Sequence, residues 1–256
     1  MIKEEILELL YTKKDYSEIK ERLKNSSDFR SFNILAKIAL WNGDLKKAYE
    51  YFNKGQSVLG CCYCHLLNNK IPEAKILLNL VRNSSPCINW LIALINILEN
   101  KEDIYPSYFQ IRNFYEQDLE LFFKYKKDKY IETIINKQVY LEYFNREIYK
   151  YTGRVLLNNN LSYKAEELFL KSIDIYYNDP ETHFLLGELY LKIKDKEKAI
   201  KEFKLSSEVN GTYLPAINRI KDLLNWLYNF DYVVKYKYRV LLGEVKQCSN
   251  VLPRRL

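Results

Sequence analysis

The sequence predicts an all-α fold, an α–α superhelix of stacked helical hairpins, and three observations carry that expectation. Only 7 Gly and 6 Pro occur in 256 residues, so turns are few and short. Five identities recur at a single offset of 34: Gly153 and Gly187, Lys164 and Lys198, Ala165 and Ala199, Phe169 and Phe203, Ser172 and Ser206. The Gly-rich turns and Val/Ile runs of a parallel α/β fold are missing, as are the phosphate-loop, dinucleotide and H-E-x-x-H motifs. With 48% hydrophobic and 29% charged residues, the chain has ample material for a packed core.

Each copy of the 34-residue unit reads as two helices joined by a short polar turn, Asn158-Asn159-Asn160 in one and Lys194-Asp195-Lys196 in the other. Gly187 and Ala199 are small, so the two helices can approach where they cross, with Leu186, Tyr190 and Phe203 filling the space around them. One hairpin cannot bury both its faces, so hairpins stack. The stretch DPETHFLLGELYLKIKDKEKAIKEF resembles the tetratricopeptide repeat family: Leu186-Gly187, Tyr190, Ala199 and Phe203 stand where that family has its Leu-Gly, Tyr, Ala and aromatic. His183 takes the slot usually held by Trp. The preceding copy keeps Gly153, Ala165 and Phe169 and puts Leu156 at the Tyr slot.

From the N-terminus, residues 29–58 have the same shape in looser form, with Leu35-Ala36, a Gly43-Asp44 turn, then Ala48 and Phe52. Residues 59–83 form another copy, in which Ala74 is the second-helix alanine and Asn68-Asn69-Lys70 the turn. The apolar run Ile88 to Leu98 reads as a buried helix, too short to span a bilayer. Residues 100–145 show helical spacing and many aromatics without a clean repeat, which fits degenerate hairpins or an inserted element. The best-matched repeats cover 146–179 and 180–213, and capping helices follow over 214–245, with Val233 at the Ala slot. These pieces are expected to form one solenoid over 1–245, ending in a basic tail at 246–256.

The run Cys61-Cys62-Tyr63-Cys64-His65 contains C-x-x-C-H, the attachment signature of a c-type haem. Such attachment normally happens outside the cytosol, and a second axial ligand is scarce, with only Met1 and His183 remaining. A zinc site could use Cys61, Cys64 and His65, which share a helical face, but needs Cys87 or Cys248 as a fourth ligand. The repeat frame favours packing. The twelve-residue step from Gly187 to Ala199 leads back from Ala74 to Cys62, placing Cys62 in the small-residue slot, Cys61 in the Leu slot and His65 in the Tyr slot. Cysteine then acts as a small hydrophobe, and no metal or cofactor is expected.

Chemistry is thinly supplied. Both histidines fall in core slots, and the carboxylates interleave with lysines on helical faces, as Glu197 and Lys201 do at i, i+4, so no enzyme is expected. The opening MIKEEILELLYTKKDY is not a signal peptide, which points to the cytoplasm and reduced thiols and makes the sequons at Asn25, Asn83 and Asn210 chance matches. The net charge of +7 and the runs Lys124-Tyr125-Lys126-Lys127 and Lys235-Tyr236-Lys237-Tyr238-Arg239 leave a nucleic-acid-associated regulator as the alternative function.

The resemblance implies a scaffold or adaptor that binds a protein or peptide along a concave face lined by first helices. Transferred one at a time, the groove residues are Asn33, Lys37 and Leu40, then Lys150, Arg154 and Leu157, then Phe184, Glu188 and Leu191. The chaperone-tail-binding subset of the family grips a carboxylate with paired Asn and Lys, a pattern that Arg154 and Glu188 do not keep. Lys37, Lys150 and Arg154 are expected at the surface as a positive strip broken only by Glu188. An acidic partner would then rest aromatic or aliphatic anchors on Leu157, Phe184 and Leu191.

Overall fold

The computed structural model describes residues 16–81, 85–101, 111–138, 141–142 and 146–223, and every regular element among them is an α-helix. The chain divides into two compact units, Met1–Asn159 and Asn160–Leu256. The boundary falls inside the repeat expected over 146–179. The first unit holds α1 (Ser17–Leu23), α2 (Phe29–Trp41), α3 (Leu45–Lys54), α4 (Val58–Leu67), α5 (Ile71–Leu78), α6 (Pro86–Leu98), α7 (Ile111–Lys124), α8 (Asp128–Asn136) and α9 (Ile148–Asn158). The second holds α10 (Ser162–Ile175), α11 (Pro180–Lys192), α12 (Lys196–Val209) and a helical stretch at 214–223. The capping segment beyond 223, the second basic run and the tail at 246–256 lie outside the described residues.

The hairpin turns share one construction. A residue in the left-handed region ends the first helix: Gly43 (φ 85°), Asn69 (φ 59°), Lys126 (φ 53°) and Lys194 (φ 68°). The next amide then reaches back to close the helix, Asp44 to Ala39 O at 3.0 Å, and Lys70 to His65 O, Lys127 to Phe122 O and Asp195 to Tyr190 O at 2.8 Å each. Asp44 and Asp195 also cap the second helices, accepting from the amides of Lys47 and Lys198 at 3.0 and 3.1 Å. Because α7 and α8 are joined by this same turn, residues 111–136 form a hairpin of the repeat's kind without the repeat's side-chain spacing.

Small residues set how closely helices pack. A Cβ on Gly187 would lie 2.4 Å from the Phe203 ring, so only glycine lets α11 and α12 meet there, and Phe203 and Ala199 are both fully buried. Between α4 and α5, the Cys62 thiol donates to the Ala74 carbonyl at 3.4 Å, across the twelve-residue step seen in the sequence. A second close approach was not legible from the repeat frame. Gly60 lies against Phe52, where a Cβ would come within 2.2 Å of the ring, so the glycine admits the aromatic of the preceding hairpin. His65 is only half-buried and packs edge-on against Tyr49 at 5.3 Å.

Candidate partner-binding face

In the first unit, helix α7 packs against α8 and α9, touches α6, and reaches α4 through one side-chain hydrogen bond. It carries an apolar stripe of Tyr115, Leu119 and Phe122, all buried, and Asp118 sits inside that stripe, three residues after Tyr115 and four before Phe122. The Tyr115 ring meets Trp90 of α6 edge-on at 5.9 Å. Asp118 Oδ2 accepts from Trp90 Nε1 at 2.6 Å and from the Tyr63 hydroxyl of α4 at 3.2 Å. Just beyond α7, the Tyr125 hydroxyl donates to the Leu40 carbonyl of α2 at 2.7 Å, and Lys127 Nζ to Asn69 Oδ1 at 3.0 Å. On its other side α7 meets α9. Glu116 accepts from Arg154 Nε at 2.8 Å, and Glu120 accepts from Asn158 and Asn159 at 3.1 and 2.9 Å.

The electrostatics follow from burial. Asp118 is 4% exposed, and desolvation pushes its carboxyl up to about 7, with the Trp90 and Tyr63 hydrogen bonds pulling the other way. The Tyr63 phenol is raised by its own burial and by the neighbouring carboxylate. Burial also raises the Cys87 thiol, helped by Asp118 and opposed by the Lys37 charge, which places Lys37 within electrostatic reach of this cluster. Tyr63 follows Cys62 as Lys37 follows Ala36 and Glu188 follows Gly187, so Tyr63 shares the register of the expected groove residues Lys37 and Glu188.

The expected groove residues divide accordingly. Lys37 is exposed. Asn33 is half-buried and donates to the Gly55 carbonyl at 3.0 Å, tying down the end of α3. Leu40 is 6% exposed, and Leu157 is also buried. Lys150 corrects the sequence reading: expected in solvent, it is 2% exposed, its ammonium paired with Glu147 one turn back and 5.9 Å from the Tyr151 ring centroid. A long stem lets a first-helix lysine bury its methylenes while the charge finds a local carboxylate. Arg154 is turned onto Glu116, so the strip of open cations shrinks to Lys37. In the second unit Phe184 packs against Phe203 and Tyr213, with ring centroids at 5.6 and 5.8 Å, and Leu191 is half-buried. Glu188 accepts a two-pronged pair from Arg219 at 2.6 and 2.8 Å and is not an open charge. Sequence reasoning missed Tyr63, Trp90 and Asp118. The available signal was a lone carboxylate inside an apolar helical stripe.

Cys61, Cys62 and Cys64 are free, buried thiols; desolvation raises Cys61 and pushes Cys62 to about 11 and Cys64 to about 12, which keeps them protonated at neutral pH. Among the described residues, no group of three or more His, Cys, Asp or Glu is placed to hold a metal ion, and no helix is long and apolar enough to cross a membrane. His183 is buried between Glu202, 2.8 Å from Nδ1, and the Tyr177 carbonyl, 3.0 Å from Nε2. Tyr125, from the first basic run, turns its hydroxyl inward to Leu40.

Residues 180–213 match the tetratricopeptide repeat family, the span of α11, α12 and their turn. The matched repeat is of tetratricopeptide type, and every regular element among the described residues is an α-helix. No curated protein matches its sequence. Among solved structures it is similar to YrrB, described as a tetratricopeptide repeat protein with an unusual peptide-binding site, at 12% identity and a TM-score of 0.34, over 81% of this chain and 98% of that one. It is also similar to the Cut9-Hcn1 hetero-tetramer of APC/C, at 14% identity and a TM-score of 0.38, over 81% of this chain and 46% of that one. A third similarity is to MamA, at 14% identity and a TM-score of 0.29, over 72% and 92%.

Proposed function

We propose that the chain is a non-enzymatic cytoplasmic adaptor that binds a protein or peptide through the first-helix faces of its repeats. The observation that carries this reading is the tetratricopeptide match over residues 180–213 on a chain whose described residues stack as helical hairpins. Lys37, exposed on a first helix, attracts an acidic ligand. The non-enzymatic part rests on Asp118 itself: at 4% exposure, the carboxyl with the most unusual proton affinity here is out of reach of a substrate.

The test is a panel of helical peptides with acidic residues between aromatic anchors, titrated against the full chain by fluorescence anisotropy beside basic peptides and a single-stranded RNA. The acidic set binds, and Lys37→Glu weakens it about fivefold, the change in affinity that about 1 kcal/mol at an interface edge produces. Binding of no acidic peptide, or indifference to Lys37→Glu, removes the reading. Preference for RNA with steep loss on adding salt would replace it with nucleic-acid binding.

A further inference from the structure

The chain carries two Asn-Gly steps, Asn42-Gly43 and Asn210-Gly211, and the fold holds them differently. All four residues are exposed. Glycine has no side chain to keep its amide nitrogen away from the carboxamide carbon of the preceding asparagine. At Asn42 the backbone is helical (φ −83°, ψ −3°), Gly43 N donates to the Leu40 carbonyl at 3.1 Å, and Asp44 N donates to Ala39 O at 3.0 Å. Turning Gly43 N onto the Asn42 side chain breaks both bonds and swings α3, whose Ala48 and Phe52 are buried. At Asn210 the backbone has already left the helix (φ −139°, ψ 98°), and Gly211 N has no acceptor among the described residues. The bond of this turn, from Tyr213 N to Asn210 O at 3.0 Å, joins two atoms on the same side of the ψ rotation and survives it. The rotation moves 213–223 against α11. That stretch meets α11 through Tyr213 on Phe184 and the exposed Arg219–Glu188 pair, and most of its side chains are exposed. Asn210 Oδ1 accepts from Thr212 N at 3.0 Å and from Thr212 Oγ1 at 2.8 Å, restraints that lie at the surface and open together.

We propose that Asn210-Gly211 is a self-converting modification site, and that its isoaspartyl product releases 213–223 from α11. The site is independent of the adaptor reading. Gly211 N gives its proton to hydroxide and forms a bond to Asn210 Cγ. The bond from Cγ to the side-chain nitrogen breaks, and that nitrogen takes a proton from water and leaves as ammonia. Water then opens the succinimide ring at either carbonyl, so the net change is asparagine and water to an acid and ammonia. Opening at the backbone carbonyl leaves the chain running through Cγ, which is isoaspartate. The main chain gains a methylene, and a free carboxylate stands at the carbonyl end of α12, where the helix dipole disfavours negative charge. The carbonyl that accepted from Tyr213 N is no longer part of the main chain, so the turn cannot re-form as it was. Tyr213 and Arg219 then lose register with Phe184 and Glu188.

The experiment ages the full chain in mildly alkaline buffer and follows both asparagines by peptide mapping with mass spectrometry. Asn210 converts about tenfold faster than Asn42, because Asn42 must first break a backbone hydrogen bond. In guanidinium chloride the two convert alike. Gly211→Ala slows conversion of Asn210 about tenfold, since a Cβ crowds the nitrogen and narrows its backbone freedom. It leaves melting unchanged, because that Cβ would meet nothing within 4 Å. In the isoaspartyl fraction, isolated by its added negative charge, hydrogen exchange over 213–223 rises about tenfold while α11 stays protected. Asn210→Asp carries the charge without the added methylene and keeps 213–223 protected. Equal conversion of Asn42 and Asn210 in the folded chain, or a difference that persists in guanidinium chloride, overturns the structural account of the site. Isoaspartyl protein with unchanged exchange over 213–223, or equal release by Asn210→Asp, overturns the role given to the product.

Discussion

Two regions of the molecule bury a titratable group, and they do so by opposite means. In the second unit His183 sits between two acceptors, Glu202 and the Tyr177 carbonyl, beside a crossing built from Gly187, Ala199 and Phe203. In the first unit Asp118 of α7 sits between two neutral donors, Trp90 of α6 and Tyr63 of α4. The second unit is thus held by shape between sequence neighbours, with its polar group well matched. The first is held across long sequence distances, with a carboxyl whose charge is poorly matched. Regular packing makes a scaffold, and the mismatch marks where the structure can give.

The largest expected effect probes the shape-built region. Phe203→Ala removes a fully buried ring and should cost about 3–5 kcal/mol, read from urea denaturation followed by circular dichroism. Gly187→Ala alone is costly because its Cβ would press on that ring. In the Phe203→Ala background the ring is gone, so the same change should be nearly free or favourable. Additive costs would mean that the glycine is needed for backbone reasons and not for the aromatic, which breaks the contrast drawn above.

The contrast also explains what was legible in the sequence. Gly187, Ala199 and Phe203 repeat at fixed spacing because each hairpin solves the same local packing problem, so the frame reveals them, and it carries over to Cys62 and Ala74. Asp118 meets Tyr63 and Trp90 across 55 and 28 residues of sequence, which no spacing rule encodes. Lys150 shows the limit from the other side. Its slot in the frame points to solvent, but Glu147 stands one turn earlier and draws the ammonium into a local pair. A frame read from sequence places backbones better than it places charges.

A middle-sized effect tests the mismatched carboxyl. Asp118 is raised from 3.8 to about 7, so the folded chain holds a proton there that the unfolded chain releases. This contribution to stability is fully present below about pH 3.8 and is lost as pH rises to about 7. Asp118→Asn keeps an acceptor for Trp90 and Tyr63 without the charge. At pH 8 it should raise stability by about 1–3 kcal/mol, since each unit of displacement is worth about 1.4 kcal/mol and the amide accepts more weakly than a carboxylate. At pH 4 the two proteins should melt alike. A variant less stable than wild type at pH 8 would show that the ionised carboxylate is well satisfied, and the first unit would then be no more poised to open than the second.

The smallest effect belongs to His183, whose burial favours the neutral ring but is outweighed by hydrogen bonding to Glu202, that residue's charge and the Tyr177 carbonyl, leaving its proton affinity raised above 6.5. Both acceptors are satisfied together only when both ring nitrogens carry hydrogen. The stability it contributes is therefore fully present below about pH 6.5 and is lost as pH rises through the folded value. The chain has two histidines, so their imidazole proton resonances can be followed separately by NMR, with His183 assigned through its Gln variant. One should titrate above 6.5. His183→Gln, which cannot donate along both directions of the ring, should cost about 1 kcal/mol at pH 6 and less at pH 8. If His183 instead titrates below 6.5, desolvation wins over Glu202, the imidazole is buried neutral, and the two units carry the same kind of mismatch.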